Sequence, residues 1–226
     1  DDPNYARMLY TAFDISQGGS RLYIPTFVYN VGGYSTQVGV QTISTGVATV
    51  TLHFVEQDGD EAATHTPAGI QASSSFVFTG EDIPGLPSGF DGSLWVEAGT
   101  GTIAAAAEEL QNNGRRAYAF EGISSVDDSV FMPSMMCRFN PGGQTTFYAI
   151  QNAGSQAASV KVDVYNDATK KLLTSYTLPG TIPPGAKYSL NLCNVSGTAY
   201  KGGSARVYST NGQKLAVVGK VVASNG

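Results

Sequence analysis

The segment Val160-Lys161-Val162-Asp163-Val164 alternates between β-branched apolar residues and charged residues. The segment Val50-Thr51-Leu52-His53-Phe54, 110 residues earlier, alternates in the same way between apolar and polar residues. A period of two with β-branched residues is typical of a strand that buries one face. The two segments therefore predict equivalent strands in two similar domains.

The repeat that these strands reveal extends over almost the whole chain. An offset of 108 aligns residues 4–25 with residues 112–133 and matches, for example, Tyr10 with Tyr118, and the offset reaches 112 near the C-terminus. Loops absorb such small differences between copies. Short strands separated by Gly and Pro turns, in units of about 100 residues, are typical of β-sandwiches. We expect an all-β fold of two tandem Ig-like antiparallel β-sandwiches that arose by internal duplication.

The ends of the copies suggest domain boundaries. We assign residues 1–21 to an N-terminal extension and residues 22–114 to the first β-sandwich. Residues 115–129 form a connecting strand and linker, and residues 130–226 form the second β-sandwich.

Two local predictions depend on turn and propensity signals. Ile103–Leu110 has high helix propensity, but its counterpart Leu215–Val222 has the pattern of a strand. Because duplicated domains keep one topology, we assign a strand to at least Ile103–Ala107, while a turn remains open for Glu108–Asn113. Asn211-Gly212 between two apolar runs predicts a β-hairpin.

The composition narrows the classes of partner. Charged residues make up only 14% of the chain, the net charge is −5, and Lys and Arg form no cluster larger than a pair. Nucleic acid needs a basic face, so we expect no nucleic-acid partner. No apolar run approaches the length of about 18 residues that a membrane span needs. The polar, weakly charged surface suits packing against copies of the same chain or carrying sugars.

Both cysteines of the chain, Cys137 and Cys193, lie in the second copy. A disulfide between them would stabilise that domain by about 3–5 kcal/mol in the chain-entropy model and would indicate an extracellular or cell-surface location. The alternative is two buried free thiols. Asn194-Val195-Ser196 is an N-glycosylation sequon, so Asn194 is a possible glycosylation site.

Catalytic and metal-binding signals are weak. His53 and His65 are the two histidines of the chain, and neither lies in a recognisable nucleophile motif. We expect surface histidines, no cofactor and no enzymatic activity. A hydrolase that uses dispersed carboxylates such as Glu97 and Glu121, or an accessory domain of an enzyme, is a third reading.

Calcium is weighed separately, because carboxylates in loops are its usual ligands. Asp127 and Asp128 in the interdomain connection are weak candidates, and Asp58, Asp60 and Glu61 share another loop. Their spacing matches no EF-hand, so we assign no metal site.

The unmatched end of the repeat carries the functional hypothesis. The first copy is followed by Arg115–Gly122, whereas the second copy ends without such a segment. The counterpart stands at the N-terminus of the chain, and it consists of Arg7, Met8, Leu9, Tyr10, Thr11, Ala12, Phe13 and Asp14. If Arg115–Gly122 completes the first domain, this N-terminal strand can complete the second domain of another molecule. Such a head-to-tail contact propagates as a filament unless it closes into a ring.

The turn and strand motifs of the two copies also resemble a known class of domain. Tyr23-Ile24-Pro25, Phe131-Met132-Pro133, Gln151-Asn152-Ala153-Gly154 and Pro183-Pro184-Gly185 resemble motifs in tandem β-sandwich repeats of prokaryotic secreted surface proteins. Gln41-Thr42-Ile43-Ser44 departs from this pattern in the first copy. The arrangement is similar to that of donor-strand-exchange pilus subunits, whose N-terminal extension completes a neighbour.

This resemblance implies a structural subunit of an extracellular filament or pilus, which polymerises with copies of itself. The alternative is a monomeric secreted adhesin or carbohydrate-binding module, in which Arg7–Asp14 is the first strand of its own domain. In either case host or cell-surface glycans are possible partners.

Overall fold

The computed structural model describes residues 18–111 and 116–223. The chain divides into two compact units, of which the first ends at Ser125 and the second begins at Val126. Each unit contains two antiparallel sheets, and four such sheets account for nearly all the regular structure of the described residues. The prediction of an all-β chain with tandem β-sandwiches is confirmed.

Domain 1 is built from one four-stranded sheet of order β1-β6-β3-β4 and another of order β5-β2-β7-β8. Its strands are β1 (Arg21–Val28), β2 (Tyr34–Thr42), β3 (Thr49–Val55), β4 (Glu61–His65), β5 (Ser75–Thr79), β6 (Asp91–Thr100), β7 (Ile103–Gln111) and β8 (Ala117–Glu121). The buried core between the sheets is aromatic, with the rings of Phe27 and Phe54 packed edge to face at a centroid distance of 5.0 Å. Such pairs add specific packing to the burial of apolar area.

Domain 2 contains a four-stranded sheet of order β12-β11-β14-β9 and a three-stranded sheet of order β13-β10-β15. Its strands are β9 (Ser129–Cys137), β10 (Thr145–Asn152), β11 (Ala158–Asn166), β12 (Leu172–Ile182), β13 (Lys187–Asn191), β14 (Lys201–Ser209) and β15 (Leu215–Val222). On β11, Val160, Val162 and Val164 are buried, whereas Lys161 and Asp163 are only partly covered. The alternation of the sequence therefore does mark one buried face.

The duplication is visible in individual hydrogen bonds. The amide of Val28 donates to Thr36 Oγ1 at 3.0 Å, and 108 residues later the amide of Met136 donates to Thr146 Oγ1 at 3.0 Å. Bridges also recur, since Gly19 pairs with Ile103 in domain 1 and Asp127 pairs with Leu215 in domain 2. The pairing of Gly19 places it within the fold of domain 1, although we assigned it to the N-terminal extension.

Strand β7 runs further than the sequence suggested. Residues 108–111, for which a turn remained open, continue the strand and pair with β2 on one side, while residues 106–110 pair with β8 on the other. Two neighbouring strands outweigh the helix propensity of the alanine run, which is a weak preference of a few tenths of a kcal/mol per residue. Asn112 and Asn113 lie outside the described residues.

The prediction of a hairpin at Asn211-Gly212 is wrong. Strand β14 pairs with β9 and β11, whereas β15 pairs with β10, so the turn carries the chain from one sheet to the other. The Asn211 side chain binds β11 and the residue before it instead, because its Oδ1 accepts from the Ser159 amide and its Nδ2 donates to the Ala157 carbonyl. Turn chemistry marks a change of direction here, but it does not identify which strands pair.

Candidate assembly site

Strand β8 completes domain 1. Its residues pair antiparallel with residues 106–110 of β7, with Phe120 opposite Ala107 and Tyr118 opposite Glu109. Phe120 packs against the buried core. Just after the strand, Ile123 exchanges two backbone hydrogen bonds of 2.9 Å with Tyr23 of β1, in the other sheet. One segment thus covers an edge of each sheet.

Domain 2 has no equivalent of β8 among the described residues. Strand β15 keeps the register of β7, because Leu215 pairs with Asn152 as Ile103 pairs with Thr42. Beyond the bridge at Leu215, no strand formed by residues 18–111 or 116–223 pairs with the outer edge of β15. The sheet has three strands where that of domain 1 has four.

Side chains at this edge are correspondingly exposed. Tyr23 of β1 is 7% exposed, whereas its counterpart Phe131 of β9 is 75% exposed. Glu109 of β7 is 2% exposed, whereas its counterpart Val221 of β15 is 37% exposed. Phe131 lies on the other face of β9, opposite Arg206 of β14. We call the surface between β9 and β15, formed by Val130, Met132, Gly219 and Val221, the open groove. An apolar surface of this kind is a typical site for another chain to bind.

The floor of the open groove differs from the corresponding region of domain 1. A Cβ atom added to Gly219 would lie 3.2 Å from the Met132 methyl carbon and 3.3 Å from the Tyr148 ring. Tyr148 is buried and donates its hydroxyl to the Ser134 carbonyl at 2.6 Å, and its burial raises the pKa of the phenol. The equivalent positions in domain 1 are occupied by smaller or differently shaped side chains, Ile24 and Val38.

The predicted polymerisation strand, Arg7–Asp14, lies outside the described residues. Of its counterpart Arg115–Gly122, the structure describes the part from residue 116 onward. The comparison of the two copies identified the unmatched strand but did not identify Met132, Tyr148, Gly219 or Val221 as groove residues. These residues could have been found by aligning the two copies and identifying the positions of domain 2 that correspond to residues next to β8 in domain 1.

The structure contains a disulfide between Cys137, at the end of β9, and Cys193, in the short 3-10 helix Leu192–Asn194. At the equivalent place in domain 1, the Tyr29 ring packs on Gly80 of the 3-10 helix Gly80–Asp82, so closely that a Cβ atom on Gly80 would lie 2.3 Å from the ring. Each domain therefore fixes its first strand to this helix by a different means. Asn194, the sequon residue, is exposed.

The outer face of the β1-β6-β3-β4 sheet carries a second polar and aromatic cluster. The His53 ring stacks on Trp95 at 3.7 Å, and its Nδ1 lies 2.6 Å from Glu61 Oε1. Burial raises the pKa of Glu61, but hydrogen bonds with Thr64 and His53 outweigh this effect and lower the pKa below its usual value. His53 lies on the face of β3 opposite the buried residues Leu52 and Phe54.

The other carboxylate and histidine candidates do not converge on a reactive centre. Glu97 of β6 forms an ion pair with Arg21, whose guanidinium also lies 4.7 Å from the Trp95 ring. Glu121 ends β8, in the other sheet. His65 lies beside the ring of Phe76, at a centroid distance of 6.3 Å.

Of the calcium candidates, Asp127 is engaged with other groups. Asp127 accepts hydrogen bonds from Lys214 at 3.0 Å and from the Asp128 amide at 2.8 Å, and the hydrogen bond with Lys214 is the main reason that its pKa is lowered. In the described part of the chain, no group of three or more His, Cys, Asp or Glu residues is placed to hold a metal ion. The helices in that part are too short to cross a membrane.

Comparisons with known proteins find structural similarity only. No family model and no curated protein matches the chain. The crystal structure of Thermotoga maritima 1070 matches with a TM-score of 0.42 and 14% identity over 48% of this chain and 96% of that one. The PBSX exported protein XepA matches with a TM-score of 0.22 and 8% identity over 95% and 90% of the two chains. An anti-sigma factor domain-containing protein from Clostridium clariflavum has a TM-score of 0.22 and 10% identity over 91% and 79%. These scores are too low to bear on function.

Proposed function

We propose that the protein is a structural subunit of an extracellular filament or pilus. Each subunit inserts its N-terminal strand, Arg7–Asp14, into the open groove of domain 2 of its neighbour. One observation carries the proposal: β8 covers its groove in domain 1, whereas no described strand covers the equivalent groove in domain 2, where Val221 is 37% exposed and its counterpart Glu109 in domain 1 is 2% exposed.

The N-terminal strand is the appropriate occupant because it is the sequence counterpart of β8. Added as a strand, it gains main-chain hydrogen bonds along β15 and buries apolar side chains in the groove, which is the general mode of β-strand addition. Donor and acceptor are different surfaces of one chain. Such a heterologous contact repeats without limit unless the subunits close into a ring.

Two further features support an extracellular structural role. The Cys137–Cys193 disulfide suits an oxidising compartment. Two of the ionisable residues noted in the sequence, His53 and Glu97, form an ion pair or a ring stack on an outer face. We therefore propose no enzymatic activity for the described domains.

The test removes the N-terminal strand that each subunit is proposed to donate. A variant that lacks residues 1–15 should remain folded by circular dichroism but stay monomeric in light scattering, and negative-stain electron microscopy should show no fibres. A variant that lacks residues 1–4 keeps the whole strand and should polymerise as the intact chain does. Filaments formed by the longer deletion would overturn the proposal.

The intact chain provides the complementary result. Continuous fibres are expected in purified native material. A monodisperse monomer whose residues 7–14 are protected from hydrogen exchange would instead support the adhesin or carbohydrate-binding module, in which the strand belongs to its own domain.

A further inference from the structure

The open groove differs from the covered one in the size of the side chain that it can accept. Resting on the proposed function, we infer that domain 2 selects the N-terminal strand of a second copy through a small residue, Ala12, seated over Gly219. The same fit excludes a strand that carries phenylalanine at this position, as β8 does.

The register of the N-terminal strand against β15 follows from the pairing of β8 with β7 in domain 1. In domain 1, Phe120 of β8 lies opposite Ala107 and Tyr118 lies opposite Glu109. An offset of 112 converts the β7 residues to Gly219 and Val221, and an offset of 108 converts the β8 residues to Ala12 and Tyr10. The incoming strand therefore places Ala12 opposite Gly219 and Tyr10 opposite Val221.

The packing around Phe120 shows what this position requires in domain 1. The ring packs against a buried cluster that includes Ile24, Val38 and Ala107, each fully buried. In domain 1, β8 supplies the large side chain, Phe120, and the strands around it supply smaller side chains.

Domain 2 reverses this arrangement. Tyr148 replaces Val38, Met132 replaces Ile24, and Gly219 replaces Ala107. The Met132 methyl group and the Tyr148 ring already lie 3.2–3.3 Å from where a Cβ of Gly219 would stand. The space that Phe120 fills in domain 1 is thus partly filled by the acceptor itself. A phenylalanine on the incoming strand would overpack this site, whereas Ala12 would fit.

The residue pairs next to Ala12 and Gly219 strengthen the proposed contact between the N-terminal strand and β15. Val221 meets Tyr10 where domain 1 has Glu109 opposite Tyr118, and by the same offsets Val218 meets Phe13 where domain 1 has Ala106 opposite Glu121. In these two pairs, Val221 replaces Glu109 and Phe13 replaces Glu121, so each pair is more apolar than its counterpart within the chain. This difference has a physical reason, because association of two molecules must offset translational and rotational entropy that a covalent linker has already removed.

Selection of a small side chain keeps β8 in the groove of domain 1 and the N-terminal strand in the groove of domain 2. Strand β8 and the N-terminal strand are similar enough in sequence to compete for either groove, and exchange of β8 would produce swapped or branched assemblies. A side chain that clashes in the wrong groove prevents such pairing.

The test changes the side chain over Gly219. Ala12→Phe in the full chain should weaken assembly about ten-fold or more, which corresponds to an overpacking cost of about 1.4 kcal/mol or more. Thr11→Phe, on the opposite face of the same strand, should assemble as the wild type does. Met132→Ala combined with Ala12→Phe should restore assembly, since it removes the methyl group beside Gly219. Critical concentration, measured by sedimentation, is the readout.

A second measurement does not depend on the folding of these variants. Peptides of residues 1–17 with alanine or phenylalanine at position 12 should differ in how well they inhibit wild-type assembly, and the phenylalanine peptide should inhibit about ten-fold less. Equal inhibition, or equal assembly of Ala12→Phe and wild type, overturns the selection of a small residue. If the deletion of residues 1–15 abolishes assembly at the same time, strand donation itself stands. If that deletion still assembles, the proposed function fails.

Discussion

The hydroxyl of Tyr148 forms a hydrogen bond between the two sheets of domain 2. It donates to the Ser134 carbonyl at 2.6 Å from a side chain that is almost completely buried. Tyr148→Phe removes the donor and leaves a carbonyl oxygen with one partner fewer, so unfolding of domain 2 should require about 1–2 kcal/mol less free energy. Denaturant unfolding followed by far-UV circular dichroism measures this change.

A matched control for Tyr148→Phe is available within the same domain. Tyr200 is highly exposed, so Tyr200→Phe should leave the unfolding free energy unchanged within about 0.5 kcal/mol. Equal effects of the two substitutions would contradict the role that we assign to the Tyr148 hydrogen bond.

At the scale of elements, the disulfide ties β9 to the 3-10 helix Leu192–Asn194. It closes a loop of 56 residues, for which the chain-entropy model gives about 4 kcal/mol of stabilisation. Reduction, or Cys137→Ser with Cys193→Ser, should lower the melting temperature of domain 2 and leave that of domain 1 unchanged, because both cysteines of the chain lie in domain 2. Scanning calorimetry with and without reductant measures the two transitions. A shift of both transitions by the same amount would show that the disulfide does not act locally.

Elements with a clear periodicity could be predicted from the sequence, and pairing partners could not. The alternation at Val160, Val162 and Val164 identified a strand with one buried face, and the duplication identified β7 despite its alanine run. The hairpin prediction at Asn211-Gly212 failed because hydrogen bonds to β11, a strand distant in sequence, fix that turn. Local sequence contains the turn but not its distant partner.

The residues of the candidate site were also hard to predict, because they come together only through strands that are distant in sequence. The counterpart of β8 at the N-terminus could be recognised in the sequence, since it depends only on the order of similar segments. The exposure of Val221 and the approach of Met132 to Gly219 depend on side chains from β9 and β15, more than 80 residues apart in sequence. The stack of His53 on Trp95 depends likewise on the pairing of β3 with β6.

At the scale of the whole molecule, strand donation predicts filaments with two different ends. One end presents an open groove and the other an N-terminal strand. A subunit that lacks residues 1–15 can receive a strand but cannot donate one, so it should add to one end only and stop growth there. Small amounts of this variant, mixed with intact subunits, should shorten filaments in proportion to the fraction added, as measured by length distributions in electron micrographs.

A control for end capping uses the same truncated subunit with its groove altered. Val221→Asp places a charge in the groove and should abolish the shortening, because the variant can then neither donate nor receive. Shortening that persists with this double change would mean that truncated subunits act by some route other than the open groove.

The position of the disulfide bears on the time between synthesis and assembly. Domain 1 is closed by its own chain from the moment it folds, and it has no covalent link between its strands. If subunits assemble by strand donation, domain 2 persists with its β9–β15 edge uncovered until a neighbour binds, and the disulfide holds β9. On the proposed function, oxidation of Cys137 and Cys193 therefore sets how long a solitary subunit survives proteases and aggregation. A cell that releases the protein before this bond forms would lose subunits rather than gain filaments.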